Sequence, residues 1–223
     1  MAGTAPKPFF FAMGKESGIA SLSQLENESL YTLINNTEEM IRALAWFQEN
    51  YKAKGLRTAV VDTVTLFGRM AQMELTDYGR QTMEHRHWMK FLSYFLNIRD
   101  CLHSCDVHVI WVFHDDEVKS GDLVMKRAPK LAGQALKEIL QTCGIIAYMD
   151  KIELSAKKDE NGNIVAPAET VRRFFTKCPE EFKPPFEAGT WYDQVLTHGC
   201  YYPSFQALAK FLSPETGRKH ITV

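Results

Sequence analysis

Apolar and polar positions alternate between two rhythms along the chain. "PKPFFFAMG" is a short continuous apolar run that Pro8 can open and Gly14 can close with a turn, which predicts a buried strand. A second apolar run, "SLYTLI", follows after a polar gap. "NNTEEMIRALAWFQENY" then changes period: Met40, Ile41, Leu44, Ala45 and Phe47 share one helical face behind a start signal at Asn36 or Thr37. "RTAVVDTV" predicts the next strand, and "GRMAQMELTDYGRQTMEHRH", with Gly68 and Gly79, reads as a polar loop. "HRHWMKFLSYFLNIRDCLHS" predicts a long amphipathic helix and "DVHVIWVFH" an almost uninterrupted apolar strand. "APKLAGQALKEILQTC" predicts a helix, "GIIAYMDKIEL" a strand, and "VRRFFTK" its antiparallel partner after a turn at Asn161-Gly162. Beyond Pro179 only "SFQALAKFL" looks helical. Strands that are apolar throughout and separated by helices predict an α/β fold with a mostly parallel sheet covered on both faces and a late antiparallel hairpin. The expected division is a core over 1–178 and an extension over 179–223.

Composition adds bounds. The 223 residues are 45% hydrophobic and 24% charged with net charge −1, enough for one full core. The balance of 26 basic and 27 acidic residues removes any whole-molecule attraction to nucleic acid, so a DNA contact needs a local patch. Five cysteines without framework spacing fit a reducing intracellular setting, and no apolar run is long enough for a membrane span. The start at Met1 is expected to be native or engineered rather than proteolytic.

The chemistry concentrates where two strands end. Asp62 closes "TAVVD", followed by Thr63 and Thr65; His114 closes "VIWVFH", followed by Asp115, Asp116 and Glu117. Ligands in such sheets lie at the carboxyl ends of the strands. There Asp62 can hold the water shell of Mg²⁺ and His114 can reach a phosphate or an attacking water. The bland alternatives are an Asp62 that caps the following turn and a His114 satisfied by a backbone carbonyl. The same strand ends would also serve a metal-dependent hydrolase built on Asp62, His114, Asp115 and Asp116.

"AVVDTVTLF" resembles a Walker B strand, and "VIWVFHDDE", "APKLAGQALKEI" and "PKPFFFAMGKESG" resemble, in this order, segments of phage-encoded RecA-like P-loop ATPases of recombination and single-strand annealing. The similarity covers about residues 6 to 155. It implies a RecA-like fold, ATP and Mg²⁺ as cofactors with Asp62 and Thr63 on the cofactor, and Asp62 as the metal residue. It also implies catalytic roles for Glu39 and His114, although acidic residues in a helix's first turn, such as Glu38 and Glu39, also simply complement the helix dipole. Glu16 is a further acidic candidate after the first strand. Single-stranded DNA is the implied partner, held by Arg69 and Arg80 in the first loop and by Lys119, Lys126 and Arg127 in a second, mobile one, "DDEVKSGDLVMKRAPK". A homo-oligomer or a recombination partner protein, the cytoplasm of a bacterial host and no membrane complete what the resemblance implies.

The family's G-x-x-x-x-G-K-[ST] phosphate loop belongs before "PKPFFF", and no such run occurs in the 223 residues; "GKESG" has glycines and a lysine but lacks the motif's second Gly-Lys pair and follows the wrong strand. Truncation, natural loss and a cradle from another subunit are the three readings, and a non-catalytic DNA- or protein-binding module is the alternative function. Cys101, His103 and Cys105 have the wrong helical spacing for a closed zinc site, His85 and His87 are expected to cap a helix or face water, and Trp88, Phe91, Tyr94 and Phe95 to line the core.

Overall fold

Pro8–Met13 (β1) is buried at every position, as a central strand with apolar side chains on both faces requires. It pairs in parallel with Leu30–Ile34 (β2) on one side and with Thr58–Asp62 (β3) on the other. β3 in turn pairs in parallel with His108–Val112 (β4), giving the order β2-β1-β3-β4. The register sets Ala12 beside Asp62 and Asp62 beside Val112, so the strands end along one carboxyl edge. In this computed structural model the described residues are 2–14, 28–158, 164–175, 178, 180, 185–186, 189–190 and 200–201. They belong to two units, Met1–Asp116 with Pro129–Cys143 and Glu117–Ala128 with Gly144–Val223.

In the first unit the helices share one buried core with the sheet. Thr37–Asn50 (α1) starts on Asn36, whose side chain accepts the Glu39 N–H, and buries Met40, Ala43, Leu44 and Phe47. His85–His103 (α3) matches the expected long helix; its start is closed by a capping box in which His87 accepts the Glu84 N–H at 3.2 Å. The core is aromatic. Phe11 packs on Phe47 at 5.6 Å and Phe67 on Phe95 at 5.4 Å between ring centroids, both edge-on, the favourable geometry for such pairs.

Two stretches expected to be loops are ordered elements. The first opens inside a helix, Val64–Leu75 (α2), with Val64, Phe67, Gly68 and Ala71 buried at helical spacing. Gly68 acts there as a point of close approach rather than as a breaker: a Cβ on it would stand 2.6 Å from Leu131 Cδ1 and 3.6 Å from the Phe95 ring. The second is a hairpin, Asp115–Ser120 (β5) paired with Leu123–Pro129 (β6) around Gly121 at φ 62°. The helix expected over 128–143 is only Gln134–Leu140 (α4), because Pro129 still belongs to β6 and Gly133 turns at φ 70°.

In the second unit the expected strand over 144–154 is two pieces, Ile145–Ile146 (β7) and Tyr148–Leu154 (β8). Lys157–Lys158 (β9) and Ile164–Ala166 (β10) pair antiparallel, and the Asn161-Gly162 turn between them lies outside the described residues. Glu169–Phe175 (β11) is the predicted antiparallel partner of β8, registered from Glu169 opposite Leu154 to Phe175 opposite Tyr148. Gly189–Thr190 (β12) joins β7, and Cys200–Tyr201 (β13) joins β11. Phe186 stacks on Tyr148 at 4.4 Å and tilts against Phe175 at 5.4 Å, a small aromatic cluster of its own. "SFQALAKFL", Glu16 and the "KESG" run lie outside the described residues. Among the described residues no helix is long and apolar enough to cross a membrane.

Candidate functional site

β3 delivers Asp62 half-buried to the carboxyl edge, between the ends of β1 and β4. The next residue is committed to structure. Thr63 caps α2, its hydroxyl accepting the Leu66 N–H at 3.2 Å and its carbonyl the Phe67 N–H at 3.1 Å. The Asp62–Thr63 peptide is cis.

His114 is held by a junction that residue-by-residue reading missed. The Thr65 hydroxyl accepts the His114 N–H at 3.0 Å and donates to the Lys130 carbonyl at 2.8 Å, while the Lys130 N–H donates to the His114 carbonyl at 2.8 Å. One hydroxyl in the first turn of α2 thereby fixes the chain leaving β4 and the chain entering α4, three residues from Asp62. The His114 imidazole is exposed and pairs with no described residue, so it is available to a ligand. Lys130 also meets Asp116 at 3.2 Å across the exposed base of β5. The signal for this junction was the second hydroxyl in "DTVT", whose partners lie 49 and 65 positions away and have no local signature.

Glu39 is engaged as a cap. Its carboxylate accepts the Asn35 backbone N–H at 2.7 Å and the Asn35 amide at 3.1 Å. The Asn35 backbone bond, foremost, holds its carboxyl below the usual range, against the opposing effect of burial, so it stays ionised where a general base would be tuned towards neutrality. A second carboxylate that the sequence did not single out, Glu74 of α2, receives both the N–H and the hydroxyl of Thr37 and so ties α2 to the start of α1.

The cations expected to meet DNA are placed as follows. Arg69 is exposed on α2 and pairs with no described residue. Arg80 meets Asp77 at 3.4 Å, and Lys119 meets Glu117 at 3.3 Å. Lys126 is exposed on β6. Arg127 is built into its own unit: its guanidinium reaches Glu117 at 3.7 Å and the Tyr148 hydroxyl at 3.2 Å, and its backbone N–H donates to the Pro185 carbonyl at 2.7 Å. The exposed pairs are weak enough to exchange partners.

Cys101 and Cys105 are both buried. Burial foremost, helped by the neighbouring Cys105, pushes the Cys101 thiol up to about 11, and the Cys101 and Cys105 sulfurs face the backbone carbonyls of Leu44 and Cys101. Among the described residues no group of three His, Cys, Asp or Glu side chains could hold a metal. Mg²⁺ nevertheless fits Asp62, because that ion keeps most of its waters and takes one or two carboxylates together with phosphate oxygens. The phosphates themselves have no cradle of the G-x-x-x-x-G-K-[ST] kind in the sequence, so no hydrolytic step follows from these residues alone.

No curated protein matches the chain. A family model described as an AAA domain matches residues 1–179, which takes in the parallel sheet, Asp62 and His114. A parallel sheet flanked by helices is consistent with a P-loop NTPase-like fold. The chain therefore belongs to the AAA domain family of nucleotide-binding, ATPase-like domains.

Proposed function

We propose that this chain binds Mg²⁺-ATP at the carboxyl edge of the β1–β4 sheet, with Asp62 ordering the ion through its waters and His114 facing the terminal phosphate. The observation that carries the reading is the Thr65 junction, which fixes His114 beside the start of α2 while leaving its imidazole open. Because the sequence holds no phosphate loop, the cradle for the β- and γ-phosphates comes from outside the residues seen here, and hydrolysis is weak or absent without it. The role proposed for the domain is DNA recombination or single-strand annealing, with exposed Lys119 and Lys126 on the hairpin contacting single-stranded DNA. Titration with a fluorescent ATP analogue and Mg²⁺ tests the nucleotide half. Saturable binding weakened by Asp62→Ala supports it, whereas a folded protein that binds no analogue would leave a non-catalytic DNA- or protein-binding module. A salt-dependent affinity for oligothymidylate, lowered by Lys126→Ala, tests the DNA half.

A further inference from the structure

The turn that closes α2 holds its side chains in an unusual way. Asp77, Tyr78 and Gly79 take φ values of 49°, 56° and 86° in succession, so two residues with a Cβ adopt the left-handed conformation side by side. The turn is firmly built: the Tyr78 N–H donates to the Met73 carbonyl at 2.6 Å, the Gln81 N–H to the Thr76 carbonyl at 3.0 Å, and the Gly79 N–H to the Thr76 hydroxyl at 3.2 Å. Its product is a tyrosine ring 72% exposed. A strained backbone that keeps an aromatic ring in water contributes nothing to the core, and such strain gathers at binding sites.

Beside that ring lies a cleft of about 280 Å³. Leu66, Met70 and Met73, spaced along one face of α2, make its apolar floor, and Arg69 and Tyr78 stand with them in its lining. The polar groups on the remaining wall are occupied: Glu74 by Thr37, and the Asn35 N–H groups by Glu39. Arg69 is different, because its guanidinium pairs with no described residue. Neither Asp62 nor His114 lines this cleft.

Three features define the occupant. The volume falls just under the roughly 300–1,000 Å³ of small-molecule sites and suits one or two side chains. Two methionines give a floor that adapts to an aliphatic or aromatic shape. A single unpaired guanidinium offers a bidentate seat for one carboxylate. The surroundings disfavour a polyanion: Glu39, Glu74 and Asp77 stand on or next to lining residues, against the one unpaired cation, and a nucleic acid strand would bring a phosphate with every nucleotide. We propose that the α2 cleft is a protein-docking site that takes a partner segment presenting an apolar side chain next to a carboxylate, with the apolar group on Met70, Met73 and Tyr78 and the carboxylate on Arg69.

The test uses the full chain with ¹³C-labelled methionine methyl groups and two probes, N-acetylphenylalanine and its uncharged amide. The acid is expected to shift the Met70 and Met73 methyl signals saturably, the amide to bind about fivefold to tenfold more weakly, and Arg69→Gln to bring the acid down to the amide's level while leaving the other methyl signals in place. Tyr78→Gly should weaken both probes alike. Equal binding of acid and amide, no saturable shift at tens of millimolar, or oligothymidylate moving the same methyl signals more strongly than the acid would each overturn the proposal, the last by assigning the cleft to nucleic acid.

Discussion

Replacing Thr65 by Val removes one hydroxyl and little else. The side chain stays β-branched and close in volume, so α2 keeps its propensity and no cavity opens. What goes is the bond from His114 N–H at 3.0 Å and the bond to the Lys130 carbonyl at 2.8 Å; the Lys130 N–H to His114 carbonyl bond remains. A typical intramolecular hydrogen bond contributes about 0.5–1.5 kcal/mol net. Thr65 is only half-buried and water can replace part of each bond, so the loss should be about 1–2 kcal/mol for the pair. With a urea slope of about 2 kcal/mol/M, the unfolding midpoint followed by tryptophan fluorescence should fall by about 0.5–1 M. Thr65→Ser keeps the hydroxyl and serves as control. A Val variant no less stable than the Ser variant would show that the junction contributes nothing and would remove the reason for regarding His114 as positioned.

Other consequences follow from the same geometry. Tyr78→Gly relieves a left-handed residue and should raise stability by about 1 kcal/mol, less the glycine's own entropic cost, as read from the urea midpoint. Cys101 and Cys143, both pushed up to about 11 by burial, should react with iodoacetamide at pH 8 about a hundredfold more slowly in the native chain than in urea, followed by mass spectrometry. Because the Glu39 carboxyl is held down in the folded chain, its stabilising effect is present above the ordinary carboxylate range and lost as pH falls through it; Glu39→Gln should therefore lower the melting temperature at pH 7 and make little difference at a pH below its folded value.

What could be read from the sequence depended on how local the signal was. The strands β1 and β3 announced themselves because central parallel strands are apolar on both faces, β4 because its run is apolar although it stands at the end of the strand order, and α1 because Asn36 and its acidic first turn precede a regular stripe. α2 was hidden by Gly68, which looks like a breaker until Leu131 and Phe95 are seen against it, and by an apolar face made partly of Gly and Ala. The β5–β6 hairpin was hidden for the opposite reason: β5 is exposed at every position and so shows no alternation, although Gly121-Asp122 is a fair turn signal. At the site, Asp62 and His114 were visible as strand ends, whereas Thr65 and Glu74 act on partners 37 to 65 positions away, which no window along the chain contains.

The most direct test of the central reading is the Mg²⁺ dependence of ATP-analogue affinity in the wild-type chain and in Asp62→Ala. If Asp62 orders the ion, Mg²⁺ should tighten binding by about tenfold, ~1.4 kcal/mol, in the wild type and hardly at all in the variant. An equal Mg²⁺ effect in both proteins, with Asp62→Ala still folded, would contradict the assignment of Asp62 and with it the nucleotide site at the carboxyl edge of the sheet.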